Sequence, residues 1–218
     1  MTKIQRETVA EKSATELRER ILQGELRPGT QITEEAIAEN LGVSRSTVRQ
    51  VLNTLLLEDL LTRHPTTRVL QVTELSNNDL ADIYRARRFL ELGGVDAAAH
   101  ASPEALAPVV RAVHQLEQAA ANHDVAGFVQ ADFRCHAAVV ALLGSQHLST
   151  AHAQLMSKLR LTITHVTAHE EDNDQALAEH QEFCALLTSG AISDARANLA
   201  ARLDHAEQAL RTPPGLSP

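Results

Sequence analysis

The nine residues LGVSRSTVR, from Leu41 to Arg49, decide the fold of the N-terminal part of the chain. Gly42 allows a tight turn after one helix, and Ser44 is a favourable N-cap for the next, which runs to about Glu58. Small Ala38 in the first helix lets the second cross it closely. This spacing predicts a helix-turn-helix, a motif whose second helix enters the major groove of DNA.

Polar residues at the start of that second helix face away from its apolar stripe. Arginine can bind guanine through two hydrogen bonds, and Ser and Thr hydroxyls reach phosphates or bases. Two β-prone runs, 60–63 and 68–72, flank a turn and predict a β-hairpin wing beside the helices. The side chains expected to contact DNA are Thr33, Ser44, Arg45, Ser46, Thr47, Arg49, Arg63, His64 and Arg68.

A longer pattern in this region resembles the GntR family of bacterial transcription regulators. It reads Ile21-x-x-Gly24-x-Leu26-x-Pro28-Gly29-x-x-Ile32, followed by the LGVSR segment and Val48-Arg49. The resemblance implies that Ser44, Arg45, Thr47 and Arg49 contact operator DNA, and that the wing tip reaches the minor groove. The chain departs from the family pattern at Gln50, where Glu is usual, at Asp59, where Gly is usual, and at a wing tip without glycine.

Composition bounds the class of protein and its organisation. The chain has 218 residues, 44% of them hydrophobic, with two cysteines. Its longest apolar run is only seven residues, 137–143, which is too short to span a membrane. The N-terminus is mixed and charged, without the apolar segment of a secretory signal, and two cysteines are too few for a disulfide framework. A membrane, secreted or disulfide-stapled protein is therefore excluded, and the cytoplasm is expected. Acidic and basic residues balance over 1–72, while 73–218 carry the whole net charge of −8. We therefore predict a DNA-binding domain over 1–73 and an acidic domain over 74–212 that does not bind DNA.

The second domain is predicted to be an antiparallel six-helix bundle, which makes the protein mainly α, with a disordered tail over 213–218. Breaks in helical periodicity place the helices at about 77–101, 103–122, 124–143, 146–169, 174–189 and 191–211. Several polar residues fall on the apolar faces of these helices. They are Arg87, Asp132, His136, Thr162, His180 and Arg202.

Inward polar side chains are costly unless they bind one another or a ligand. Asp132 and His136 are four residues apart on one helix, so they project together and could share a metal with His180. The alternative is a structural network of buried ion pairs and hydrogen bonds. The convergence of these residues favours a site.

The same residues resemble the FCD ligand-binding domain of the FadR subfamily. The matching patterns are Arg87-x-x-x-Glu91, Asp132-x-x-x-His136, Glu179-His180 and Leu199-x-x-Arg202-Leu203, and six helices resemble the VanR-like branch. The resemblance implies a divalent metal (zinc, nickel or manganese) held by one Asp and three His, with a small carboxylate effector. Asp132, His136 and His180 match three of those ligands, and Arg202 replaces the fourth.

Arginine cannot ligate a metal, but it binds carboxylates strongly. Two site models follow. One is a weakened metal site of Asp132, His136 and His180 with an anionic effector, and the other is a metal-free pocket in which Arg202, Arg87 and Thr162 hold the effector. The second is slightly favoured.

The leading functional hypothesis is a ligand-responsive DNA-binding regulator that is not an enzyme. It would act as a homodimeric repressor, released from a palindromic double-stranded operator by a small organic acid or sugar acid. A metal-sensing regulator using Asp132, His136 and His180 is the alternative. A metal-dependent hydrolase fused to a DNA-binding module is a remote third, because the chain has no HExxH motif, nucleophile elbow or phosphate loop.

Overall fold

The structure is a computed structural model that describes residues 8–166 and 171–211, with the side chains of 161–173 left out. The predicted disordered tail, 213–218, therefore lies outside the described residues, as does the side chain of Thr162. The chain divides into two compact units, one ending at Leu75 and the next beginning at Ser76, with the stretch Arg160–His165 grouped with the first.

The first unit is a winged helix-turn-helix, as predicted. Its elements are α1 (Val9–Leu22), β1 (Gln31–Ile32), α2 (Glu34–Leu41), α3 (Arg45–Leu57), β2 (Leu61–Arg63) and β3 (Leu70–Val72). The three strands form an antiparallel sheet in the order β1-β3-β2. Ile32 pairs with Leu70, and Thr62 pairs with Gln71. The strand β1 was not predicted, and it adds a third strand to the expected hairpin.

Local chemistry sets the helix ends in this unit. The Thr8 hydroxyl and the Glu11 carboxylate form a capping box, so α1 starts four residues before the Ser13 expected from periodicity. Thr33 caps α2, and Gly42 ends it in the left-handed conformation at φ 63°. Ser44 then caps α3, which buries Val48 and three other apolar side chains against α1 and α2.

Two non-glycine residues adopt positive φ in the described part of this unit, and one of them is Asp59, where the family pattern carries glycine. Asp59, just after α3, has φ 56°, and Arg68, in the wing, has φ 61°. The left-handed region is unfavourable for residues with a Cβ, less so for Asp than for most. The backbone turn is therefore retained at both places without glycine.

The second unit consists of six helices. They are α4 (Asn77–Ala98), α5 (Pro103–Ala121), α6 (Val125–Ala141), α7 (Gln146–Val166), α8 (Glu171–Thr188) and α9 (Ile192–Arg211). Ser76 and Ser102 cap α4 and α5. Helix α4 packs against α6 and α9, α5 packs against α6 and α8, and α8 packs against α9. The polar residues predicted to face inward lie on five of these helices: Arg87 on α4, Asp132 and His136 on α6, Thr162 on α7, His180 on α8 and Arg202 on α9.

Helices α4 and α6 approach closely at Gly94. A Cβ at this position would collide with the backbone carbonyl of Val139 on α6. The absence of a side chain therefore sets the separation of the two helices that carry Arg87 and Asp132. None of the described helices is long and apolar enough to cross a membrane.

Candidate functional site

Three of the sequence-predicted site residues converge in the second unit. Oδ1 of Asp132 lies 2.8 Å from Nε2 of His180 and 3.5 Å from Nε2 of His136. Ligand atoms of all three lie within 4.8 Å of one another. Both imidazoles are buried, whereas the Asp132 side chain keeps 27% of its surface exposed. The carboxylate therefore lies at the accessible side of the cluster.

Hydrogen bonds on the far side of each imidazole fix its orientation. Nδ1 of His136 donates to Oε2 of Glu91 at 2.6 Å, and Nδ1 of His180 donates to the carbonyl oxygen of Ala176 at 2.7 Å. Because Nδ1 of each ring donates to a group outside the cluster, Nε2 is the nitrogen that faces the site. Nε2 of both rings consequently points towards Asp132, the arrangement that a metal or a hydrogen-bonding ligand requires.

Arg202 reaches the same cluster from α9. Its Nη2 donates to Nε2 of His180 at 2.6 Å, and its Nε lies 3.8 Å from a carboxylate oxygen of Glu179. Only 11% of the Arg202 side chain is exposed. The lone pair of His180 thus accepts from a fixed cation, and Arg202 brings a positive charge next to Asp132.

The pKa values follow from these charges. Burial alone would raise the pKa of Asp132, but the neighbouring imidazole of His136 holds it well below the ordinary value. Burial would lower the pKa of His136, yet the carboxylates of Glu91 and Asp132 raise it. Burial lowers the pKa of His180; the carboxylate of Asp132 opposes this shift, and the charge of Arg202 adds to it, so the net pKa lies below the ordinary value. A neutral His180 is the form that accepts a hydrogen bond from Arg202.

The residues present meet part of the requirement for a divalent metal. Two imidazole nitrogens and a carboxylate oxygen are ordinary ligands for zinc, nickel or manganese, and their spacing suits a shared ion. Arg202 does not fit such a site, because it uses the lone pair of His180 that a metal would need. The metal and the guanidinium therefore compete for one nitrogen atom.

Glu91, to which the sequence pattern assigned no role, organises the buried network. Its side chain is 0% exposed and accepts from Nε of Arg87 at 2.7 Å and from His152 at 3.0 Å, in addition to His136. Arg87 was predicted to bind the effector. Among the described residues, its guanidinium group forms an ion pair with Glu91 instead. His152 was missed, although its spacing from the apolar Leu155 and Leu159 on α7 places it on the buried face.

Tyr84 is a further polar residue that the sequence did not single out. Its side chain is fully buried, its ring centroid lies 4.8 Å from Cζ of Arg87, and its hydroxyl has no partner among the described residues. Burial raises the pKa of this phenol to about 12, partly offset by the charge of Arg87. Buried polar groups are normally hydrogen-bonded, so a ligand or a water molecule could supply the partner that this hydroxyl lacks.

In the first unit the predicted DNA-contacting hydroxyls cluster at the start of α3. Oγ of Ser44 lies 2.8 Å from Oγ of Ser46 and 2.9 Å from Oγ1 of Thr47. Thr33 is occupied in capping α2, where it accepts from Ala36. Hydroxyls and free backbone N–H groups at a helix N-terminus suit a phosphate oxygen.

The predicted arginines of α3 are exposed and paired with α2. Arg45 contacts Glu35 at 2.7 Å and Arg49 contacts Glu34 at 2.9 Å. The sequence predicted both glutamates in the first turn of α2, where the helix dipole favours acidic side chains, but not their contacts with the arginines.

The wing residues are placed at and beside the hairpin turn. Nδ1 of His64 accepts from the backbone N–H groups of Thr66 and Thr67, each at 3.2 Å, so this ring stabilises the turn. Nη1 of Arg63 donates to the carbonyl of Arg68 at 3.4 Å, and both arginines are exposed. Two cations therefore lie at the end of the wing.

Comparison with protein families matches both units. Residues 82–205 match the FCD domain, and residues 9–70 match the model described as bacterial regulatory proteins, gntR family. The chain belongs to the GntR family. It is a GntR-family transcriptional regulator with an FCD domain, a class that binds operator DNA and commonly dimerises. FCD domains often bind metals or small ligands.

Solved structures of other GntR-family regulators share this architecture. A GntR transcriptional regulator from Rhodococcus sp. RHA1 is 26% identical, with a TM-score of 0.79 over 92% of this chain and 96% of that one. E. coli McbR/YncC is 21% identical, with a TM-score of 0.74 over 93% and 97% of the two chains. Lar, which controls the agr system of Listeria monocytogenes, is 17% identical, with a TM-score of 0.69 over 94% and 98%. The last two show the fold alone. Comparison with curated proteins found no match.

Proposed function

We propose that this GntR-family regulator is a cytoplasmic, homodimeric repressor that leaves a palindromic operator when a small carboxylate or sugar acid binds its FCD domain. The observation that carries the effector class is the contact of Arg202 Nη2 with His180 Nε2 at 2.6 Å. A fixed, nearly buried guanidinium replaces a metal ligand here, and guanidinium groups bind carboxylates through paired hydrogen bonds.

The surroundings of Arg202 favour an anion that also accepts hydrogen bonds. One N–H of Nη2 is used by His180 and Nε faces Glu179 at 3.8 Å, which leaves the remaining N–H groups of Nη1 and Nη2 for a ligand. Burial lowers the pKa of His136, but Glu91 and Asp132 raise it above the ordinary value, which favours the charged form of this ring beside Asp132. A hydroxyl on the ligand would in turn donate to Asp132, so a hydroxy acid or sugar acid suits the site better than a simple fatty acid.

The DNA-binding side rests on α3 and the wing. In the proposed interface, Ser44, Ser46 and Thr47 contact phosphates, while Arg45 and Arg49 reach base edges in the major groove. Thr33 contacts the DNA backbone beside them. The wing residues Arg63, His64 and Arg68 contact the adjacent minor groove. The −8 charge confined to residues 73–218 keeps the FCD domain away from the phosphates.

The effector assignment is tested with Arg202→Ala and a matched control on the same helix, Arg196→Ala. Arg196 forms an exposed pair with Asp96, so its loss leaves the polar cluster intact. Thermal unfolding midpoints are measured with a panel of small hydroxy acids and sugar acids. We expect an acid to raise the midpoint of the wild type and of Arg196→Ala but not of Arg202→Ala. An equal rise in all three proteins would show that Arg202 does not bind the ligand.

The DNA assignment is tested by gel shift with a duplex selected from a random pool by the wild-type protein. Arg45→Ala and Arg49→Ala should each weaken binding by about 1–3 kcal/mol without unfolding the protein. Unchanged shifts for both variants would remove α3 as the DNA-reading helix.

A metal-sensing regulator remains the second candidate, favoured by the convergence of Asp132, His136 and His180 within 4.8 Å. Elemental analysis of untagged protein purified without chelators distinguishes the two. About one zinc, nickel or manganese per chain, lost in His180→Ala, would favour the metal sensor. A chain that stays metal-free after incubation with excess divalent ions would favour the arginine-bound acid.

A further inference from the structure

Two adjacent glutamates on α2 contact the two arginines of α3, each at a different edge of the guanidinium group. Glu34 accepts from Nε of Arg49 through both carboxylate oxygens, at 2.9 and 3.1 Å. Glu35 accepts from Nη2 of Arg45 at 2.7 Å. The two contacts look equivalent in a sequence, but they leave different atoms of the two arginines free.

Fold stability does not account for these pairs. The side chains of Arg45 and Glu35 are 64% and 79% exposed, and those of Arg49 and Glu34 are 65% and 40% exposed. Ion pairs this exposed contribute little to the free energy of unfolding. We therefore expect these ion pairs to affect the binding of ligands by the two arginines more than the stability of the fold.

The contact at Arg49 leaves its reading end open. Glu34 holds Nε, at the base of the guanidinium plane, so the terminal Nη1 and Nη2 groups remain available to the O6 and N7 atoms of a guanine. Glu34 is also the less exposed of the two glutamates. The contact therefore restrains the Arg49 side chain in an orientation from which it can bind, which lowers the entropy lost on binding.

The contact at Arg45 occupies its reading end instead. Glu35 accepts from Nη2, one of the two terminal groups that a base edge or a phosphate would contact. Its carboxylate also places a negative charge where DNA phosphates approach. DNA must displace Glu35 or share Arg45 with it.

On the basis of the proposed function, in which Arg45 and Arg49 contact DNA, we propose that Glu34 and Glu35 tune DNA binding in opposite directions. Glu34 is a positioning residue that strengthens recognition of the selected sequence. Glu35 competes with DNA for Arg45 and suppresses binding to unrelated sequence. Because charges balance over residues 1–72, each carboxylate weighs heavily on the phosphate affinity of this unit.

Three charge-neutralising variants test the proposal: Glu34→Gln, Glu35→Gln and, as a matched control, Glu39→Gln. Glu39 is an exposed residue of the same helix and pairs with neither arginine. Dissociation constants are measured on a random-sequence duplex of about 24 base pairs, long enough for two half-sites. The same constants are measured on a duplex that the wild type has enriched from a random pool. Thermal unfolding midpoints confirm that each variant is folded.

We expect Glu35→Gln to bind the random duplex about threefold to tenfold more tightly than Glu39→Gln does, with a steeper salt dependence. Glu34→Gln should bind the enriched duplex about tenfold more weakly, with a smaller change on the random duplex. Shifts of both variants in the same direction, or values equal to those of Glu39→Gln, would overturn the proposal. Arg45→Ala and Arg49→Ala are measured in parallel, and their binding both duplexes like the wild type would instead refute the DNA assignment itself.

Discussion

Glu91 accepts a hydrogen bond from Nδ1 of His136 at 2.6 Å, and this contact turns the other nitrogen of the imidazole towards Asp132. The same carboxylate accepts from Arg87 on its own helix and from His152 on α7. One fully buried charge thus joins three helices and orients a residue of the proposed ligand site. Its removal should affect both stability and ligand binding.

Glu91→Gln should lower the free energy of unfolding by about 3–5 kcal/mol near pH 6, because it leaves Arg87 buried without its counter-charge. Burial alone would raise the pKa of Glu91, but His136 and Arg87 hold it well below the ordinary 4.5. A carboxyl with a lowered folded pKa stabilises the protein above its unfolded value and loses that contribution as pH falls. The difference from wild type should therefore narrow below about pH 4.5.

His136 sets the upper limit of that window. Burial lowers its pKa, but Glu91 and Asp132 raise it above the ordinary 6.5, so its contribution is full below pH 6.5 and is lost as pH rises through the folded value. The free energy of unfolding of the wild type and of Glu91→Gln is measured by chemical denaturation at a series of pH values. An unfolding free energy difference that stays constant from pH 4 to 8 would contradict the assigned ion pairs.

Gly94→Ala should lower the free energy of unfolding by about 1–3 kcal/mol, because the added Cβ meets the backbone carbonyl of Val139 and forces α4 and α6 apart. Gly93 is a close control. A Cβ there would make an ordinary contact of 3.5 Å with a methyl group of Leu143, so Gly93→Ala should be neutral or stabilising. Equal thermal midpoints for the two variants would refute the close approach.

Asp59→Gly should raise the free energy of unfolding by about 0.5–1 kcal/mol, because glycine adopts the φ of 56° without a Cβ penalty. Arg68→Gly should stabilise the fold for the same reason, at φ 61°, but it also removes a cation from the wing. Thermal unfolding and binding to a random duplex are measured for both variants. Asp59→Gly should leave DNA binding unchanged, whereas Arg68→Gly should weaken it. Equal DNA affinity in the two variants would argue against a wing contact.

Sequence patterns predicted the elements whose signals are local. Ser44 marks the start of α3 because an N-cap depends only on the next few residues. Strand β1 has two residues and no periodicity of its own. It exists because Gln31 and Ile32 pair with β3 some forty residues later, which no local pattern shows.

The site was predicted where a motif holds its residues at fixed spacing and missed where contacts are distant in sequence. Asp132 and His136 lie on one helix face, and His180 was grouped with them because it falls on the apolar face of another helix. The partners of Glu91 include His152, 61 residues away. The partner of Arg87 could not be predicted, because Glu91 and Asp132 were both possible counter-charges on inward faces. The sequence therefore favoured a role for Arg87 in binding the effector, whereas the structure pairs it with Glu91.

Tyr84 is the only tyrosine of the chain, which contains no tryptophan. All tyrosine emission of the unlabelled protein therefore comes from one fully buried phenol beside Arg87. With its pKa raised to about 12, that phenol stays protonated throughout the neutral range, so its spectrum is not altered by ionisation. The molecule thus carries a single native fluorophore next to its polar cluster, and an acid that enters the cluster can be titrated by emission without a dye or a reporter gene.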